Sequence, residues 1–190
     1  MADEPILEFA TQPEWEAWLD EHHAASTGVW LRFAKKGSGA STISYAETLD
    51  VALCFGWIDG QVRRIDERFY RQRFTPRRSQ SIWSKRNCEL VTALAAAGKV
   101  RPAGLAEIER AKRDGRWDRA YAGPRTIEVP TDLREALDAN PAARKFFDTL
   151  NSQNRYAVLF RICQAKRAET RARRIAQFVD MLAKGEKLHP

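Results

Sequence analysis

The segment Trp57-Ile58-Asp59-Gly60-Gln61-Val62-Arg63-Arg64-Ile65-Asp66-Glu67-Arg68-Phe69-Tyr70-Arg71-Gln72-Arg73-Phe74-Thr75-Pro76 decides how the chain is organised. Trp57 to Asp66 reads as a strand carrying its charges on one side. Arg68 to Phe74 alternates less cleanly, but its aromatics and the bounding Pro76 mark a second, paired strand. Upstream, Val29-Trp30-Leu31-Arg32-Phe33-Ala34 is a third run of β-formers, set off by Gly28. A small mixed or antiparallel sheet follows from these three runs.

Helices flank the strands. Thr11-Gln12-Pro13-Glu14 has the spacing of a capping box with proline in the first turn, and Trp15, Trp18, Leu19 and His22 then share one face. Ser44-Tyr45-Ala46-Glu47 opens a second helix whose face is Tyr45, Leu49, Ala52, Leu53 and Gly56. Beyond Pro76, Ser84 is placed to cap a helix over 85–97, with Leu90, Val91 and Leu94 inward and Gly98 as its stop. Pro102 starts another, with Leu105, Ile108 and Ala111 inward, ending near Gly115. Residues 122–130 read as a linker, and the pattern after it is helical throughout. The expected class is α+β, with an α+β domain over 1–121, a linker over 122–130 and a helical module over 131–190.

Composition sets outer limits. With 44% hydrophobic and 30% charged residues over 190 positions, disordered, collagen-like and fibrous classes are excluded. A chain of this length buries a core without needing disulfides or a metal. Met1-Ala2-Asp3-Glu4-Pro5 is acidic where a signal peptide is basic, and no apolar run is long enough to span a bilayer. Cys54 and Cys163 sit in apolar runs and are expected as buried thiols, while Cys88 lies among polar residues. These features point to a cytoplasmic protein.

Several chemistries lack their parts. His22 and His23 are adjacent, about 100° apart on a helix, and His189 is remote, so no histidine pair faces one ion. Neither Cys-x-x-Cys nor His-x-x-x-His spacing occurs, and no metal or cofactor is expected. A Gly-x-Ser-x-Gly elbow, a Walker loop and a dinucleotide fingerprint are also missing. Asp59 and Asp66 could act as an acid–base pair or as turn and ion-pair residues. Lys35-Lys36-Gly37-Ser38-Gly39 could aim backbone N–H groups and Lys36 at an anion, or simply join a strand to a helix.

Positive charge is where the sequence is most specific. The chain carries 32 Lys+Arg against 25 Asp+Glu, a net charge of +7, and most of the cations are Arg. Residues 63–86 hold nine cations against Asp66 and Glu67, an excess equal to that of the whole chain. Phe69, Tyr70, Phe74 and Trp83 interleave with them, and Thr75, Ser79, Ser81, Ser84 and Asn87 add small donors near a predicted helix start. Forked guanidiniums, hydroxyls and helix N–H groups build phosphate and carboxylate sites, and exposed rings would stack a base. The candidate ligand residues are Lys36, Trp57, Asp59, Arg64, Arg73, Arg77, Arg78, Ser81, Trp83, Ser84, Lys85 and Asn87. Arg167, Arg171 and Arg174 form a second basic face on a C-terminal helix. The alternatives are a twisted hairpin whose Arg stems cover apolar surface, and a small-molecule enzyme built around Trp57, Asp59 and Arg73 to Lys85. The preferred reading is a non-enzymatic binder of an anionic partner: nucleic acid, a phosphorylated small molecule or an acidic protein.

Motifs spread along the chain resemble a known family. They are Glu14 to Leu19, Gly28 to Leu31 with Lys35 to Gly39, Ala52 to Gly60, Arg73 to Arg78, Ser81 to Asn87, Ala111 to Trp117, and Ala165 to Arg171. Together they resemble the YdeI/OmpD-associated proteins, also described as bacteriocin-protection proteins. The resemblance implies a link to resistance against bacteriocins or antimicrobial peptides and to an outer-membrane porin. It brings no catalytic residue set. In a chain without an export signal it implies an indirect, cytoplasmic role in stress tolerance.

Overall fold

Four strands form one mixed sheet in the computed structural model, which describes residues 6–190. They are β1 (Ile6–Leu7), β2 (Val29–Ala34), β3 (Trp57–Arg64) and β4 (Phe69–Pro76), in the order β1-β2-β4-β3. β1 runs parallel to β2, and the other pairings are antiparallel. The helices are α1 (Gln12–His22), α2 (Tyr45–Cys54), α3 (Lys85–Ala96), α4 (Pro102–Arg113), α5 (Thr131–Asp138), α6 (Pro141–Asp148), α7 (Ser152–Cys163) and α8 (Ala168–Ala183). Two compact units result: residues up to Trp83 with Asn87–Ala120, and Ser84–Arg86 with Tyr121–Pro190. The class is α+β.

Strand alternation sorts the first unit's sheet into two faces. Val29, Leu31 and Phe33 of β2 pair with Phe74, Gln72 and Tyr70 of β4 and point to one side. There Trp15 and Leu19 of α1 and Val51 and Ala52 of α2 close a core. The Trp15 indole N–H donates to the Thr48 carbonyl at 3.1 Å and that of Trp57 to the His23 carbonyl at 3.3 Å, so neither large ring strands its donor. Leu49 and Leu53, on another side of α2, pack with Trp83, Val91, Ile108 and Ala111 in a second cluster. The second unit has its own core, built from Leu133, Leu137, Phe147, Leu159, Ile162 and Leu182, against which Ile127 and Val129 also pack. Buried Asn154 ties the C-terminal segment down. Its side-chain oxygen accepts from the His189 amide at 2.8 Å, and its side-chain nitrogen donates to the His189 carbonyl at 3.2 Å.

The Ser44 capping box is present, with both of its reciprocal bonds. Other expectations need correction. Thr11 makes no side-chain cap; Glu14 instead accepts from the Ala10 amide at 2.8 Å. α2 ends at Cys54, and Gly56 takes φ +73° in the turn to β3, where a Cβ would lie 3.0 Å from the Ala103 carbonyl oxygen. Leu105 is 46% exposed, because Gly104, Ile108 and Ala111 supply the buried stripe of α4. Cys163 is exposed, because Val158, Leu159 and Ile162 take the inward side of α7 and the next position turns about 100° away. β3 does not keep its charges on one side, for a reason given below.

α4 meets α2 through Gly104, where an added Cβ would fall 2.2 Å from the Cys54 carbonyl oxygen. We expect Gly104→Ala to destabilise the first unit by about 1–3 kcal/mol, the usual cost of overpacking. Leu105→Ala, one residue along, should change stability by no more than about 0.5 kcal/mol. Urea unfolding of both variants checks the pair.

Candidate functional site

The sheet face opposite α1 and α2 carries arginines stacked on aromatic rings. On β2 the residues of this face are Trp30 and Arg32, and on β4 they are Phe69, Arg71 and Arg73. β3 joins them through a bulge. Asp59 pairs with Phe74 and Val62 with Gln72, so Gly60 and Gln61 stand opposite Arg73 alone. The extra residue reverses the alternation of β3. Asp59 stays on the inward face, whereas Arg63 comes to lie beside Arg71. Arg63, Arg71 and Arg32 are thus directly opposite one another across three adjacent strands.

Three like charges side by side disfavour a sheet. The rings beneath offset part of this cost. The guanidiniums of Arg71 and Arg63 lie 4.8 and 5.2 Å from the Trp30 ring centre, and those of Arg32 and Arg68 lie 3.6 and 5.5 Å from that of Phe69. Each such contact contributes about 0.5–1 kcal/mol at an exposed site. Glu8 pairs with Arg32 at 3.3 Å, and Arg63 donates to the Gln61 side-chain oxygen at 3.3 Å. At the hairpin end, Lys35 donates to the Asp66 carbonyl at 2.7 Å and Arg68 to that of Ser38 at 3.2 Å. These bonds bring the loop holding exposed Lys36 next to the turn, where Arg64 pairs with Glu67. Asp66 serves the turn itself: its carboxylate accepts from the Arg68 and Phe69 amides at 2.7 and 2.8 Å, which holds it below the usual carboxylate range.

The other sequence candidates are placed elsewhere. Asp59 accepts from the Tyr45 hydroxyl at 2.9 Å and from the Gln72 amide at 3.0 Å, on the helix-covered side. Trp57 is buried in the core. Arg77 is itself buried, stacked 3.6 Å from the Trp83 ring centre and donating to the Ile82 carbonyl at 3.3 Å. Arg116 donates to the Ser81 carbonyl at 2.7 Å while paired with Asp114, and the Arg78 amide donates to the Ser81 hydroxyl at 2.9 Å. Arg77 and Arg116 therefore hold the segment 77–83 from within. Near them, burial pushes the Glu107 carboxyl up, against the pull of Arg110, Arg116 and Arg77. Arg73 is half-buried and Asn87 buried, both in the first unit. Ser84 and exposed Lys85 belong to the second, where the Lys85 amide donates to the Tyr121 carbonyl at 2.8 Å.

The interleaved aromatics do not serve as platforms for a base. Tyr70 and Phe74 face the core, and Phe69 and Trp83 are buried beneath guanidiniums. The sequence signal that marks the outer row is the Arg63–Arg71–Arg32 register, which appears only once the bulge is known. Arg32, Arg63, Arg68 and Arg71 are thus the functional candidates that the residue-by-residue reading left out. Three grooves lie away from the row, of about 620, 300 and 620 Å³; one of them lies along α5 and α8, another beside Cys54 and a third along α7. Burial pushes the Cys54 and Cys88 thiols up to about 11, so neither is a ready nucleophile at neutral pH. Among the described residues no group of three or more His, Cys, Asp and Glu could hold a metal ion, and no helix is long and apolar enough to cross a membrane.

Residues 7–107, more than half of the chain, match a family model described as a domain of unknown function (DUF8412). The chain belongs to that family. Residues 126–185 match a second model, described as "Bacteriocin-protection, YdeI or OmpD-Associated". The resemblance read from the motifs is thus matched in the C-terminal part, while most of the N-terminal motifs fall within the DUF8412 match. No curated protein and no solved structure matches the chain.

Within the YdeI/OmpD-associated part, the basic face of α8 is largely engaged. Arg171 donates to both carboxylate oxygens of Asp132, at 2.5 and 2.8 Å, and to the Ile162 carbonyl at 3.2 Å. Arg174 donates to the Arg161 carbonyl. These two arginines satisfy carbonyls at the C-terminal end of α7, whereas Arg167 is exposed. The Arg171 hydrogen bonds hold the Asp132 carboxyl below its ordinary value of 3.8. Its contribution to stability is therefore fully present above that value and is lost as pH falls through the lower, folded-state value. We expect Arg171→Ala to cost the second unit about 1–2 kcal/mol, allowing for the partial exposure of the pair. The wild-type advantage should shrink on acidification below about pH 4, which hydrogen exchange on α5–α8 as a function of pH would show.

Proposed function

We propose that the chain is a non-enzymatic, anion-binding protein of the cytoplasm, with the outer sheet face as its binding surface. The observation that carries this reading is the cross-strand row of Arg63, Arg71 and Arg32. A sheet face with no charged partner needs no such row, and like charges directly opposite one another weaken strand pairing. Guanidiniums held over rings present forked N–H donors, which suit two-point contact with phosphate or carboxylate. Lys36, Arg64 and Arg68 widen the positive field at the hairpin end and would speed the encounter with an anionic partner. The candidate partners are nucleic acid, a phosphorylated small molecule and an acidic protein segment. The thiols of Cys54, Cys88 and Cys163 are free, as suits a reducing compartment. On this reading a protective role against bacteriocins or antimicrobial stress, suggested by the description of the C-terminal match, is exerted from inside the cell through the bound anion.

The test is direct binding to fluorescein-labelled anionic polymers at low salt, followed by anisotropy. Arg63→Ala/Arg71→Ala should weaken binding at least tenfold. Because the double variant removes like-charge repulsion, its urea midpoint should fall little or rise. Arg113→Ala, an exposed change on α4, should bind as the wild type does. Equal binding by wild type and the double variant would sink the reading.

A further inference from the structure

We infer that the outer row takes a linear chain of phosphates and reads the phosphates, not any base attached to them. The inference rests on the anion-binding reading above and narrows it to one ligand chemistry. Its first support is charge spacing. Adjacent strands stand about 4.8 Å apart, so three arginines in register span about 10 Å across the strands. In inorganic polyphosphate successive phosphates share one bridging oxygen and stand closer together than adjacent strands, so each arginine of the row meets a charge; in an extended single nucleic-acid strand a sugar separates the phosphates and fewer of them meet the row. An extended acidic peptide presents same-side carboxylates only every ~6.6 Å, and about two would meet the same three arginines.

The second support is the state of the rings. Trp30 and Phe69 are 8% and 9% exposed, and each lies beneath two guanidiniums. Proteins that hold single strands by their bases offer open aromatic faces. Here the buried rings lie beneath the cations and offer no open aromatic face to a base. Tyr70, the next aromatic of β4, is stacked on Phe33 at 5.2 Å on the opposite side. Glu8, paired with Arg32, is the carboxylate that an incoming phosphate would displace.

Two sources share this chemistry, a nucleic-acid strand and free inorganic polyphosphate. The probes are oligo-dT, oligo-dA, inorganic polyphosphate and poly-glutamate, matched in charge number, with the full chain. Oligo-dT and oligo-dA should bind within about threefold of each other, and poly-glutamate at least tenfold more weakly than the better phosphate polymer. That better polymer, oligonucleotide or polyphosphate, names the source. For the oligonucleotides, the plot of log affinity against log salt should have a slope of about −1.4, from two phosphate contacts at ~0.7 each, and Arg71→Ala should reduce it by about 0.7. Arg71→Lys, which keeps the charge but removes the fork, should preserve the slope yet lose several-fold in affinity. Poly-glutamate binding as tightly as both phosphate polymers would overturn the phosphate inference and leave the anion reading standing. A tenfold preference for one base would overturn base indifference. Absence of binding to every polymer at low salt would overturn both readings.

Discussion

Packing of Trp15, Leu19, Val51 and Ala52 against Val29, Leu31, Phe33 and Phe74 settles which sheet residues point inward. Through the two-residue period of a strand, it also settles every residue that points the other way. Trp30, Arg32, Phe69, Arg71 and Arg73 have no independent choice of side. The apolar core therefore sets the electrostatics of the opposite face, and a slip of one residue in β2 or β4 would exchange the two.

Arginine does three kinds of work in this chain, and they differ in what surrounds the guanidinium. Arg77 and Arg116 are buried and satisfy loop carbonyls from within, with Trp83 or Asp114 against the charge. Arg171 and Arg174 close the end of one helix from another, donating to the Ile162 and Arg161 carbonyls of its last turn. On the sheet face Arg63 and Arg68 are exposed, and the guanidiniums of Arg32, Arg63, Arg68 and Arg71 lie over the rings of Trp30 and Phe69. Net charge cannot tell these uses apart, and this explains why a dense cationic segment is a weak guide to a binding surface until each side chain is placed.

Much of the fold is legible from local signals, because those signals are also what determine it. The Ser44 capping box, the β-branched and aromatic run of β2 and the glycine stops act over a few residues. What escapes is set by tertiary partners. Leu105 obeys the helical period but falls beside a stripe begun by Gly104, whose lack of a side chain lets α2 approach. Cys163 sits in an apolar run, one position past the buried side of α7. The two-residue β1 is too short to leave a pattern and exists through pairing with Trp30 and Leu31. For the proposed site, the sequence marks one cationic segment but not its division: residues 63–71 contribute to the outer face, and residues 77–83 form a strap held by buried arginines. The difference lies in burial, which charge density does not encode.

The bulge at Gly60 and Gln61 lets one strand serve two faces that plain alternation would merge. Asp59 and Arg63 are four positions apart, so an unbroken β3 of the same length would turn both toward the helices and put Val62 beside Arg71. Deleting Gly60 or Gln61 would remove the bulge yet leave Asp59 opposite Phe74 and Arg63 opposite Arg71, because the one residue left would pair with Arg73. Related chains of equal length should then differ in what their sheets can hold according to whether this step is bulged, even where the surrounding residues are identical.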